Sequence, residues 1–120
     1  MERDLQKRLI DFAGLCIQIK KSAERSFEGD HLGKQLIRSS SSAALNFGEA
    51  KGAESVKDFL HKQSIVLKEL RESHINLLIL EQNNLCSRSE VIKHALNEAN
   101  QLVSIFVVSV KKSMENSKKI

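Results

Sequence analysis

The stretch LQKRLIDFAGLCIQIKKSA, residues 5–23, decides the fold. Leu5, Leu9, Phe12, Cys16, Ile19 and Ala23 recur at alternating steps of four and three, which places all six on one face of an α-helix. A heptad-like seam of this kind needs partner helices to cover it. The spacing predicts a first helix over about Asp4 to Glu24, closed by Arg25 to Asp30, where Phe27 and Gly29 break the pattern.

Three further segments repeat the logic. A second helix is expected over His31 to Gly52, capped by Asp30, with an apolar stripe of Leu32, Leu36, Ala43, Phe47 and Ala50. The stripe keeps its phase through Ser39 to Ser42, so this serine run reads as small residues permitting close helix approach rather than as a linker. Gly52 suits a left-handed helix end, and Ser55 with Asp58 resembles a capping box opening a third helix. That helix reaches about Glu81 through Val56, Phe59, Val66, Leu70, Leu77 and Leu80, and Asn83 and Asn84 end it. Ser87 with Glu90 offers a capping box for a fourth helix carrying Val91, Ala95, Ala99, Leu102, Phe106 and Val110, with a polar, frayed tail expected from Ser113. Short connections make neighbouring helices antiparallel, so the expectation is one all-α domain over residues 1–120, an up-down-up-down four-helix bundle.

Composition agrees. The 120 residues contain no proline, tyrosine or tryptophan, which removes helix breakers and most strand-forming aromatics together. Cys16 and Cys86 lack a CxxC spacing, so neither a disulfide framework nor a zinc site is expected, and a reducing, cytoplasmic setting is the simplest reading. The charged start at Met1, Glu2, Arg3 and Asp4 is unlike a secretory signal. The run Leu102 to Val110, broken by Ser104 and Ser109, falls well short of the ~20 residues that span a bilayer.

Reactive constellations are not expected. Glu69, Glu72 and His74 miss the Glu-x-x-His spacing of a di-metal bundle, and His31, His61, His74 and His94 form no His-x-x-x-His pair. The glycines are isolated rather than gathered into a phosphate loop, and Cys16 on the inward seam reads as an inert thiol. The chain is therefore expected to be neither an enzyme nor a carrier of a cofactor, metal or small-molecule substrate, and to have no membrane partner.

Charge placement says more. Nineteen basic and fifteen acidic residues give +4. Alternating helices gather Arg3, Lys7, Arg8, Lys51, Lys57, Lys62, Lys111, Lys112, Lys118 and Lys119 at one pole, against Glu2, Asp4, Glu49, Glu54, Asp58 and Glu115. These ten are the candidate contacts to RNA or DNA phosphates, a sequence-independent and salt-sensitive mode of binding. With all five phenylalanines among apolar positions, platforms for stacking bases look poorly supplied. On the second helix Arg38, Glu49, Ser42 and Asn46 fall at roughly 0°, 20°, 40° and 80° around the axis, beside the outward Leu45. An Arg–carboxylate pair is geometrically possible on this face, which reads as part of a subunit interface.

The residues Lys34-Gln35-Leu36-Ile37-Arg38-Ser39, then Ser42, Asn46, Glu49-Ala50, Ser55, Asp58-Phe59 and Leu67-Lys68-Glu69-Leu70-Arg71-Glu72 resemble the bundle proteins encoded in intervening sequences of bacterial 23S rRNA genes. The resemblance implies an antiparallel four-helix bundle assembled as a ring, typically a homopentamer, without recognised catalysis. A related bundle is an accessory protein of diversity-generating retroelements and associates with nucleic acid, so RNA or DNA is the implied partner class. Arg38, Ser42, Asn46, Glu49, Glu69 and Glu72 carry over as structural or interface groups. Leu45 departs from the pattern, since relatives often place a small residue or proline before the asparagine. The rival expectation is a scaffold whose partner is another polypeptide.

Overall fold

The computed structural model describes residues 2–118, with side chains from Asp4 onward. The described residues form four helices, α1 (Glu2–Ser22), α2 (Phe27–Lys51), α3 (Val56–Gln82) and α4 (Ser89–Lys118). No strand forms among the described residues, and the molecule measures 50 × 21 × 20 Å. It is an all-α bundle.

The apolar seam of α1 becomes core as its spacing requires. Leu9, Phe12, Cys16 and Ile19 are fully buried, facing Leu36, Ala43 and Phe47 of α2, Val66, Leu70, Leu77 and Leu80 of α3, and Ile92, Ala95, Ala99, Leu102 and Phe106 of α4. Phe47 and Phe106 meet edge to face, centroids 5.6 Å apart at 88°, which suits the aromatic quadrupole.

Paired residues give the helix directions. Between α1 and α2, Gln6 donates to the Ala44 carbonyl at 3.2 Å while Lys20 meets Asp30 at 3.1 Å. Between α2 and α3, Lys62 meets Glu49, Arg38 meets Glu69, and Asn76 donates to the Leu32 carbonyl. In both interfaces one number rises as the other falls, so these neighbours run in opposite senses. The α1–α2 and α3–α4 connections lie together, where Glu24 N–H donates to the Leu85 carbonyl at 2.7 Å and Ser87 N–H donates to the Ser22 carbonyl at 3.4 Å.

Serines 39 and 40 are buried, and Ser39 Oγ lies 2.6 Å from Ser73 Oγ across the α2–α3 interface. The serine run is thus a close helix approach in which the buried hydroxyls of Ser39, Ser40 and Ser73 are satisfied by a backbone carbonyl or by one another.

Helix ends differ from several expectations. Ser26, extended at φ −138°, caps α2 by accepting from Gly29 N–H, so α2 begins at Phe27 and Asp30 lies in its first turn, where it pairs with Lys20 and Lys34. An acidic group there complements the amino-terminal end of the helix dipole. Gly52 has φ −102°, not a left-handed value, and the positive φ belongs to Asn84 at 53°. Ser55 does cap α3, accepting from Asp58 N–H at 3.0 Å while Asp58 accepts from Glu54 N–H. Ser87 does not cap α4, because its hydroxyl and N–H both turn to the Ser22 carbonyl. Beyond Ser113 the chain stays helical to Lys118, since Ser113 is buried and donates to Gln63 Oε1, which Ser109 also reaches at 2.7 Å.

Candidate functional site

Three of the ten predicted phosphate-binding residues have protein carboxylates instead. Arg8 makes a two-pronged contact to Glu98, Nε to Oε2 at 3.0 Å and Nη2 to Oε1 at 2.8 Å, and also donates to Gln101, joining α1 to α4. Lys7 pairs with Asp11 one turn along at 2.7 Å, and Lys62 of α3 with Glu49 across on α2 at 3.0 Å. The pole is therefore nearer to electrical balance than the sequence reading makes it. Sequence position fixes which end of the bundle a cation occupies, but an anion one turn away or on the neighbouring helix captures it first.

Lys51, Lys57, Lys111, Lys112 and Lys118 are exposed, and none of them forms an ion pair among the described residues. The side chain of Arg3, and Lys119, lie outside the described residues. The last turn of α2, the α2–α3 turn and the last turns of α4 meet around a groove of about 400 Å³ whose lining includes Ala50, Lys51, Val56, Phe59, Ser113 and Asn116. Lys51 Nζ lies 5.4 Å from the Phe47 ring centroid, a cation–π distance that rests the lysine stem on the bundle end. Phe27 departs from the expectation that every phenylalanine sits among apolar positions: it is 79% exposed and stacks on His31, centroids 5.8 Å apart and nearly parallel.

The second predicted group forms a network, although not the one expected. Arg38 does not pair with Glu49. It reaches across to α3, donating from Nη1 to Glu69 Oε2 at 3.0 Å and from Nη2 to Glu72 Oε2 at 2.6 Å, with Nε donating to Gln35. Asn46 donates to both the carbonyl and hydroxyl of Ser42, which in turn hydrogen-bonds Glu69. Helix periodicity identified the face, while the choice of carboxylate depended on which residues of α3 stand opposite.

Glu69 is only 6% exposed, so its charge needs compensation. Burial pushes its carboxyl up, but hydrogen bonds from Ser42 and Arg38, together with the Arg38 charge, outweigh burial and hold it below the ordinary value of 4.5. A carboxyl with a depressed folded value stabilises the fold above the unfolded value and loses that contribution as acid titrates it. The stability gap between the native chain and Glu69→Gln is therefore expected to shrink as pH falls below about 4.5 in thermal melts. A gap independent of pH would show that the carboxylate charge does not matter to the fold.

Leu45 stands 66% exposed on the outward side of α2, and Ile75 and Ile79 are 55% and 40% exposed on α3. The latter two line an apolar depression of about 370 Å³ with Arg71, Glu72 and Asn76. Burial of the Cys16 thiol pushes its pKa up to about 12 against a smaller downward pull from Ser40, which leaves it protonated at neutral pH. No group of three metal-ligating side chains occurs among the described residues, and none of their helices is long and apolar enough to cross a membrane.

Fold and surface together define a small helical bundle whose polar features are inter-helix ion pairs and a lysine-bearing end. The chain belongs to the 23S rRNA-intervening sequence protein family, whose model matches residues 2–107. Among solved structures, a protein of unknown function from the S23 ribosomal protein family of Bacteroides thetaiotaomicron superposes with a TM-score of 0.80 at 24% identity, covering 92% of this chain and 97% of that one. That likeness concerns the fold. No curated protein matches the sequence.

Proposed function

We propose that this chain is a non-enzymatic, self-associating bundle of the cytoplasm that holds the phosphate backbone of RNA or DNA at its lysine-bearing end. The observation that carries the reading is the convergence of Lys51, Lys57, Lys111, Lys112 and Lys118 from three helices without ion-pair partners among the described residues. Family membership supports the same partner class, since the family takes its name from ribosomal RNA genes. Self-association multiplies a modest charge: a ring of five would present five such ends at once, and linked weak contacts bind far more tightly than one. Exposed Leu45, about two turns along α2 from Arg38, supplies a candidate subunit contact.

Binding to a short RNA duplex, followed by fluorescence anisotropy across salt concentrations, tests the proposal. If about five phosphates are neutralised, affinity falls about 10²- to 10³-fold between 50 and 200 mM salt, and Lys111→Glu with Lys112→Glu makes the logarithmic slope shallower. A flat slope in the native protein removes the reading, and the mass by light scattering decides self-association independently. The rival, a scaffold for another polypeptide, draws its support from the apolar depression around Ile75 and Ile79. It predicts no duplex binding at low salt.

A further inference from the structure

The lysine end carries more than charge. Its groove, about 400 Å³, is within the range of about 300–1,000 Å³ found for sites that take small organic groups. Ala50, Val56 and Phe59 give it an apolar, partly aromatic lining, while Asn116 contributes an exposed amide that can both donate and accept. Asn116 makes no side-chain hydrogen bond to another described residue. Lys51 is part of the lining itself, Lys57 directly follows Val56, and Lys111 and Lys112 directly precede Ser113, another lining residue. One cation thus lines the recess and three more stand on the helix turns that border it. Glu54, also in the lining, is unsuited to phosphate but can accept from the exocyclic amine of a base.

We infer that this groove receives one unstacked base of a single-stranded RNA or DNA segment, against Phe59 and Asn116, while the neighbouring phosphates lie along Lys51, Lys57, Lys111 and Lys112. The inference rests on the backbone-binding reading above and narrows its partner to single strands. A duplex keeps its bases stacked and paired and has none to insert, whereas single-strand binders join a basic track to an aromatic contact. Phosphate attraction alone gives the opposite order, because a duplex carries the denser charge. A preference for the single strand is therefore diagnostic of the groove.

The full chain is tested against three probes of equal length: a single-stranded DNA with a central 2-aminopurine, the same strand annealed to its complement, and a backbone whose sugars are abasic. The protein has no tryptophan or tyrosine, so the fluorescent base is read without protein background. The single strand is expected to bind about tenfold more tightly than either other probe, with 2-aminopurine emission changing on binding. Phe59→Leu is expected to abolish this difference while leaving the salt slope intact. Asn116→Ala, at an exposed position, is expected to reduce it and serves as the readout should the first variant fail to fold. Salt-sensitive binding in which the single strand is no tighter than the duplex or the abasic backbone overturns the groove and leaves the backbone reading standing. Failure to bind any probe at low salt overturns both.

Discussion

Replacing Phe106 with alanine is expected to cost about 3–5 kcal/mol of folding free energy, a large part of the ~5–15 kcal/mol available to a domain of this kind. Phe106 is fully buried near the middle of α4 and packs edge to face on Phe47 of α2. Truncation removes the transfer energy of the ring and leaves a cavity between helices already joined by buried contacts on several sides, which limits collapse. The contrast is Phe27→Ala. That ring is 79% exposed and touches His31 in its own helix, so its removal is expected to change stability by no more than about 0.5 kcal/mol. Urea unfolding followed by far-ultraviolet circular dichroism measures both. Equal effects at the two positions would mean that the 106 ring is not core.

Gly29→Ala is the second large effect, and its sign is the point. Glycine to alanine inside a helix ordinarily stabilises by up to about 1 kcal/mol. A Cβ at position 29, however, would lie 2.1 Å from the Glu24 carbonyl oxygen, a backbone atom in the turn that Glu24 N–H anchors to Leu85. Relieving that overlap requires moving the α1–α2 connection, so a net loss of about 1–3 kcal/mol is expected. At Gly33 the obstruction is Lys20 Cδ at 2.2 Å, part of a flexible side chain. Gly33→Ala is therefore expected to be much milder, at the expense of the Lys20–Asp30 contact. Thermal melts of the two variants side by side measure this, and a stabilised Gly29→Ala would refute the close approach.

That glycine shows where sequence reasoning stopped. The α1 seam was legible because a repeat of three and four has one geometric solution in a helix, and Leu9, Phe12, Cys16 and Ile19 are all fully buried. The serine run was legible for the same reason, its flanking stripe keeping phase. Gly29 instead looked like a breaker, because a glycine that permits close packing and one that interrupts a helix are the same letter. With Gly29 taken as loop, Asp30 became the cap, although Ser26 occupies that role. Periodicity could also rank residues around one helix but could not choose partners on another. It therefore placed Arg38 on the correct face and missed Glu69 and Glu72 as its anions, which only the family resemblance marked. The carboxylate partner of Arg8 was missed because Glu98 is distant in sequence and adjacent in space.

The hydrogen-bonded meeting of the two distal connections also sets how the bundle can loosen. The chain folds like a book whose spine is the α2–α3 pair and whose covers are α1 and α4. Glu24 with Leu85, and Ser22 with Ser87, form a clasp at one corner of the opening edge. Along the rest of that edge, the Arg8–Glu98 fork is the side-chain fastening. Gaping between the covers must begin at the corner holding the first turns of α1, so the outermost amides there lose protection from solvent exchange before those beside the clasp.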